Sequence, residues 1–465
     1  MRFPRMSGVL LHPTSLPGPH GSGDLGQAAY HFVDWLVTAG QNLWQILPLG
    51  SIGPGNSPYM SISAFAGNPL LIDLRDLADR GWLAAEEIDN ASFADARVDF
   101  DAVIPFRLAM LRKAAAGFFE SADEVHSEFN DFRAANARWL DDYSLFMALT
   151  GQDISKKWSD WSPDLARRQP TALATARLQY AGEIRFWEFV QWNFFRQWFA
   201  LKRYANERGV KIVGDIPIFI AYDSADVWAN PQLFYLDAKL RPTVVAGVPP
   251  DFFSDTGQLW GNPLYRWDRH EADGYAWWVG RMREITRLTD IVRIDHFRGF
   301  AGYWEVPAID TTAINGRWLP GPGARLFDAV RDALGPLPII AEDLGVMTLE
   351  VSELRDAFEL PGMRVLQFAF ADDAENPFLP HNYVHNSVVY TGTHDNDSSL
   401  SWFAQAHERE RRFVRTYLNT DGREIHWDLI HAASQSVADL AIYPLQDVLG
   451  LGAEARMNLP GQAEG

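Results

Sequence analysis

The sequence predicts an α/β protein built on a (β/α)8 TIM barrel, with a helical insertion and loop-rich insertions over the C-terminal face. Two observations carry this prediction: eight short apolar or β-branched runs recur along the 465 residues, and a helical pattern lies between most of them. Strands alternating with helices imply a parallel sheet, and eight such strands closing on one another form a barrel. A doubly wound open sheet is the structural alternative, but no G-x-G-x-x-G follows the first run to support a nucleotide-binding version.

The first run, GVLLH from Gly8, leads into DLGQAAYHFVDWLVTAG. There Asp24, with Gln27 three residues on, reads as a capping box; Phe32, Trp35 and Leu36 form an apolar face, and Gly40 marks the stop. The second run is LWQILP, and the Gly/Pro-rich GPGNSPYM that follows carries Tyr59. From about Arg75 to Gln179 the pattern is amphipathic helix without strand alternation, as in IPFRLAMLRKAAAGFFE, which predicts a helical insertion. In EIRFWEFVQWNFFRQWFALKRYANERG, Trp187, Phe194, Trp198 and Leu201 recur at turn intervals and predict core, with Gly209 as the stop. The third run, KIVGDIPIF, precedes a loop-rich excursion from Ser224 to Arg269 that holds Trp260. DIVRID, PIIAED, RVLQFAF, SVVYTG and LAIYPL complete the eight. The expected division is a first part of the barrel with an active-site loop (1–74), a mainly helical insertion (75–180), barrel (181–223), a loop-rich insertion (224–270) and the remainder of the catalytic barrel (271–465).

Composition narrows the function. With 41 Lys and Arg against 60 Asp and Glu, the net charge is −19, and no basic stripe exists to hold nucleic acid. Cysteine is absent, which removes disulfides, thiolate nucleophiles and Cys-ligated metals and suits a cytoplasmic protein. The apolar run Val9 to Leu11 is too short for a secretory signal, and no run approaches the ~18 apolar residues of a membrane helix. Aromatics are abundant: 18 Trp, 14 Tyr and 29 Phe. Most fall at helical spacing, but Tyr59 and Trp260 lie in Gly/Pro-rich segments where no core pattern explains them, so they are candidates for a binding surface.

The acids at the run ends are Asp215 in IVGD, Asp295 in VRID, Glu342 and Asp343 in IIAED, and Asp395 in YTGTHD. A strand-end Asp by itself is commonly the N-cap of the next helix, and Asp397, after Asn396, reads that way. In a barrel, however, strand C-termini converge on one mouth, so acids distant in sequence meet in one cleft. Arg293 and Asp295 stand two apart in DIVRIDHFRG and therefore share a strand face. Breaking an acetal needs a neutral proton donor at the leaving oxygen and an ionised carboxylate beneath the sugar carbon. Arg293 favours the ionised form of Asp295, which makes Asp295 the expected nucleophile. Glu342, beside Ala341 and the apolar Ile339–Ile340, is the expected proton donor, because desolvation raises its pKa. A metal-dependent reading draws on His296, His394, Asp395 and Asp397, but no H-x-H, H-E-x-x-H or paired ligand motif accompanies them, so it is the minority reading.

The segments GDIPIFIA, VRIDHFRGF, IIAEDLG and TGTHDND resemble the strand-end motifs of the α-amylase clan. More closely, GVLLHPTSLPGPHGSGDLG, LWQILPLG, SPYMSISAFAGNPLLI and AGVPPDFFSDTGQLWGNPLYRW resemble the amylomaltases, the bacterial 4-α-glucanotransferases or disproportionating enzymes, over about Ser7 to Gly461. The resemblance implies retaining transfer of a 4-α-glucan segment to the 4-hydroxyl of an acceptor, without a metal or organic cofactor and with maltooligosaccharides and glucose as substrates. It implies Asp295 as nucleophile, Glu342 as general acid/base and Asp395 as the carboxylate that grips sugar hydroxyls. Arg293 would orient Asp295; Asp215, His296 and His394 would bind the same donor-side sugar, and Tyr59 and Trp260 would line the subsites. Two positions depart from the pattern: Met60 stands where many relatives have a polar residue, and the chain stops at Gly465 where relatives continue into a Trp- and Arg-containing tail. An α-glucan hydrolase shares the same carboxylates and is the alternative, with a non-catalytic glucan-binding protein further back.

Overall fold

A computed structural model describes residues 2–94, 96–121, 126–153, 156–250, 254–345 and 347–459. Its strands, in chain order, are β1 (Met6–Leu10), β2 (Leu43–Gln45), β3 (Lys211–Pro217), β4 (Val244–Val248), β5 (Gln258–Pro263), β6 (Ile291–Asp295), β7 (Gly302–Pro307), β8 (Arg317–Pro320), β9 (Ile339–Ala341), β10 (Gly362–Val365), β11 (Ser387–Tyr390) and β12 (Leu440–Pro444). Eight of them close into a parallel barrel in the order β1-β12-β11-β10-β9-β6-β3-β2. All eight fall within the eight runs read from the sequence or within two residues of them. The reason is physical: a barrel strand is covered on both faces and so reads as a short apolar block.

Side-chain parity then divides each strand. Ile291 joins Leu10, Leu43, Val213, Ile340 and Val388 in a cluster inside the barrel, whereas Val292 and Ile294 pack with the helical layer outside. Arg293 and Asp295 therefore follow Ile291 on the inward face, toward the C-terminal mouth.

Between Leu74 and Glu207 the described residues form only helices and short turns. The last helix, Ala181–Glu207, buries Trp187, Phe194, Trp198 and Leu201, as their spacing predicts. The helix Gln27–Thr38 departs from expectation, because Gly26 is its N-cap and no side chain caps it. Asp24 instead accepts from the Gly26 N–H at 3.0 Å and from the Arg107 guanidinium at 3.1 Å. A buried arginine has taken the carboxylate that the capping box required. Asp397 is likewise not the cap of its helix: Ser398 is, accepting from the Ser401 N–H, while Asp397 accepts from the Ser398 N–H and the Ser401 hydroxyl.

Residues 224–270 contain regular structure that their composition conceals. β4 and β5 join β7 and β8 in a four-stranded antiparallel sheet, in the order β5-β4-β7-β8. Segments such as VVAGV and QLWGNP are too short and too interrupted by Gly and Pro to show an alternation of period two. Residues 251–253 of the segment AGVPPDFFSDTGQLWGNPLYRW lie outside the described residues. Through β5 the sheet carries Trp260 to the cavity that holds Asp295.

Candidate active site

Register brings the first charges together. β3 and β6 pair with Asp215 opposite Arg293 and Pro217 opposite Asp295. Arg293 Nη1 donates to Asp215 Oδ2 at 2.6 Å, and its Nη2 lies 2.9 Å from Asp295 Oδ1. Arg293 and Asp215 are fully buried, whereas the Asp295 side chain keeps 28% of its surface exposed toward the cavity. One guanidinium thus anchors one hidden carboxylate and one accessible one. Burial acts against the Arg293 charge, but Asp215 and Asp295 together outweigh it and hold the group firmly protonated.

Asp295 does not sit at the low pKa that its arginine neighbour suggests. Burial pushes it up to about 6 against the pull of Arg293, and the charges of Asp215 and Asp395 add to the rise. Arg293 serves two acids, and burial outweighs its pull on Asp295. Asp295 is still ionised at neutral pH.

Glu342 follows β9, beside β6. Its Oε2 accepts from the His296 N–H at 2.7 Å and its Oε1 from the Leu344 N–H at 2.9 Å. Both bonds favour the ionised form, yet burial and the charge of Asp295 outweigh them and push the group up to about 8. His296 makes this contact at the point where β6 ends, in the left-handed region with φ of 52°. A histidine held there is a local strain of the kind that functional sites retain. Burial lowers the imidazole to about 3, so it is neutral. The neighbouring Asp343 points elsewhere: it accepts from the Met363 N–H and Arg355 and braces the next strand.

Tyr59 connects the two sides of the mouth. Its hydroxyl donates to Asp215 Oδ2 at 2.7 Å and accepts from His394 Nε2 at 2.8 Å, with the rings stacked 5.3 Å apart. His394 Nε2 also lies 3.2 Å from Asp395 Oδ2. Sequence reasoning offers Tyr59 as an aromatic surface; its place is as much a polar junction. Trp260 meets the His296 ring edge-on at 4.7 Å. All nine candidate residues, Tyr59, Asp215, Trp260, Arg293, Asp295, His296, Glu342, His394 and Asp395, therefore belong to one connected cluster. Met60 is fixed beside it, its sulfur 3.6 Å from the Asn262 amide nitrogen.

A cavity of about 1950 Å³ opens over this cluster, lined by Tyr59, Met60, Trp260, Asp295, His394 and Asp395 among others. That is well above the ~300–1,000 Å³ of a small-molecule pocket and suits an oligomeric ligand. Two lining residues were not found from sequence. Asn458 donates to Asp395 Oδ1 at 2.5 Å, and Arg456 donates to the Asp395 carbonyl at 2.6 Å. ARMNLPG carries no periodicity or motif, so only the fold could place them. Among the described residues no group of three His, Asp or Glu side chains is arranged to hold a metal ion, and no helix is long and apolar enough to cross a membrane.

Two neighbouring carboxyl groups with different proton affinities at the mouth of a (β/α)8 barrel, one of them lining a large cavity, are the equipment of carbohydrate-active barrel enzymes. Within that class the chain belongs to the 4-alpha-glucanotransferase family, whose pattern its residues 11–465 match. It is 52% identical to a 4-alpha-glucanotransferase of Thermus thermophilus over all of this chain and 94% of the relative. It is 48% identical to a chloroplastic/amyloplastic 4-alpha-glucanotransferase of Solanum tuberosum over 98% of this chain and 80% of that one. Its fold superimposes on the amylomaltase from Streptococcus agalactiae in complex with acarbose with a TM-score of 0.96 at 39% identity, covering 99% of this chain and 93% of the other.

Proposed function

We propose that this 4-α-glucanotransferase works by a retaining double displacement in which Asp295 is the nucleophile and Glu342 the general acid/base. Asp295 attacks the anomeric carbon of the donor while Glu342 gives its proton to the departing 4-oxygen. The acceptor's 4-hydroxyl then returns a proton to Glu342 and displaces Asp295, so that one glycosidic bond is broken and one made. Asp395 grips the hydroxyls of the reacting sugar, with Asp215, His296 and His394 around the same sugar. Arg293 orients Asp295, and Tyr59 and Trp260 line the subsites.

The observation that carries this reading is the split between Asp295 and Glu342. Glu342 bonds the His296 N–H, one residue from Asp295, yet at neutral pH the first group keeps its proton and the second does not. Maltooligosaccharides and glucose are the substrates, and the cytoplasm is the site of action. Residues 75–180 form the helical insertion of the expected division, and residues 224–270 bring Trp260 over the mouth.

Transfer requires that a sugar defeats water, which is present at ~55 M; effective molarities of about 10⁵–10⁸ M for oriented reactants make this feasible. Maltotriose alone should yield glucose and a ladder of longer maltooligosaccharides, with total reducing ends nearly constant. Reducing ends that rise in step with maltotriose consumed would mark the hydrolase instead.

A further inference from the structure

Asp395 sits in a loop after β11, four residues beyond the Thr391 side chain that Asp447 holds at 2.6 Å, and it is not buried. An exposed carboxylate on a loop has many rotamers, and a group that must meet sugar hydroxyls in one geometry needs to lose that freedom before the substrate arrives. Three contacts from the segment after β12 remove it. Arg456 Nη2 donates to the Asp395 carbonyl at 2.6 Å, and Arg456 Nε donates to the Asn458 carbonyl at 2.9 Å. Asn458 Nδ2 then donates to Asp395 Oδ1 at 2.5 Å. The arginine fastens the backbone of Asp395 to that of Asn458, and the asparagine fixes the carboxylate between them. On its other oxygen Asp395 meets His394 Nε2 at 3.2 Å.

We infer that Arg456 and Asn458 are positioning residues for Asp395, and that they set its carboxylate in the orientation the reaction uses. The inference rests on the role of Asp395 proposed above. A hydrogen bond to a charged group is stronger than one between neutral groups and more directional in its effect. Its loss should appear where Asp395 acts, in the transition state, and not in ground-state binding.

The test is a mutant cycle on the full chain, with maltotriose disproportionation and fluoride release from α-maltosyl fluoride as readouts; the second donor keeps weak variants measurable. Asn458→Ala should lower kcat by about 10- to 100-fold with KM nearly unchanged, and Arg456→Ala should do the same. The double variant should be little worse than either single, because both act through one carboxylate. In an Asp395→Ala background Asn458→Ala should cost nothing further. A thermal melt like that of wild type accompanies the expected result. An equal loss in the presence and absence of Asp395, or a loss confined to KM, would overturn the inference and make Asn458 a direct sugar contact. Full activity of Asn458→Ala beside an inactive Asp395→Ala would overturn the positioning role alone; full activity of Asp395→Ala would remove the role of Asp395 and this one with it.

Discussion

Among the described residues two arginines are buried in ion pairs with buried aspartates, and one of them also reaches a second carboxylate, partly exposed, that lines the cavity. Arg107 Nη2 meets Asp24 at 3.1 Å and the Ile72 carbonyl at 2.6 Å, and its Nη1 meets the His20 carbonyl at 3.2 Å. Its donors go to backbone carbonyls and to one acid, and both partners of the pair are buried. Arg293 has two acids instead, one hidden and one open to a cavity. Burial of an ion pair alone therefore does not distinguish the two; the accessible second carboxylate does, and it is the group proposed as nucleophile. The Arg107 pair ties the N-terminal loops to the helical layer, and the Arg293 cluster leaves the partly exposed carboxylate of Asp295 facing the cavity.

Substitutions should separate the two pairs. Asp295→Asn should cost about 10⁴-fold or more in kcat while the thermal melt at neutral pH is no lower than that of wild type, as expected for loss of a nucleophile. Glu342→Gln should cost about 10²–10⁴ on maltotriose and much less on α-maltosyl fluoride, whose leaving group needs no proton. Equal losses on both donors would remove Glu342 from the acid role. Arg107→Met should lower stability by about 3–5 kcal/mol, because it strands Asp24 without its partner, and leave kcat unchanged in the fraction that folds. A catalytic defect without a stability defect there would collapse the comparison.

Protonation sharpens the contrast further. In the proposed roles Asp295, at about 6, acts ionised and Glu342, at about 8, acts protonated, so kcat/KM should fall below the first value and above the second. Both groups bind protons more tightly folded than unfolded. Their contribution to stability is thus complete below the ordinary carboxylate range and is lost as pH rises through about 6 and then about 8. Glu342→Gln should accordingly melt higher than wild type by a margin that grows between about pH 5 and about pH 9. The smallest effect belongs to Trp260: replacing it with Ala should lower transfer about tenfold and hydrolysis less, measured as the ratio of longer oligosaccharides to new reducing ends.

Much of this was legible in the sequence because barrel strands announce themselves. Eight apolar blocks between helical patterns marked the barrel strands, and acids at or just beyond their ends marked Asp215, Asp295, Glu342 and Asp395, which the fold brings to one mouth. The signal failed where tertiary contacts overrode local ones. Asp24 lost its capping role to Arg107, eighty-three residues away. Arg293 divides its charge between two acids because β3 lies beside β6, a neighbour that DIVRID cannot reveal. The antiparallel sheet hid in strands of four to six residues, and Arg456 and Asn458 reach Asp395 only because β12 and β11 are adjacent in the closed barrel.

The most direct test of the central claim, that the accessible partner of Arg293 carries the chemistry, is to trap the intermediate. Incubation with a fluorinated maltosyl fluoride that forms the glycosyl-enzyme quickly and releases it slowly, followed by proteolysis and mass spectrometry, should place one sugar adduct on the peptide containing Asp295, and none in Asp295→Asn. An adduct on Glu342, Asp395 or any residue outside the barrel mouth, or a reaction that proceeds with no adduct and inverts the anomeric centre, would contradict it.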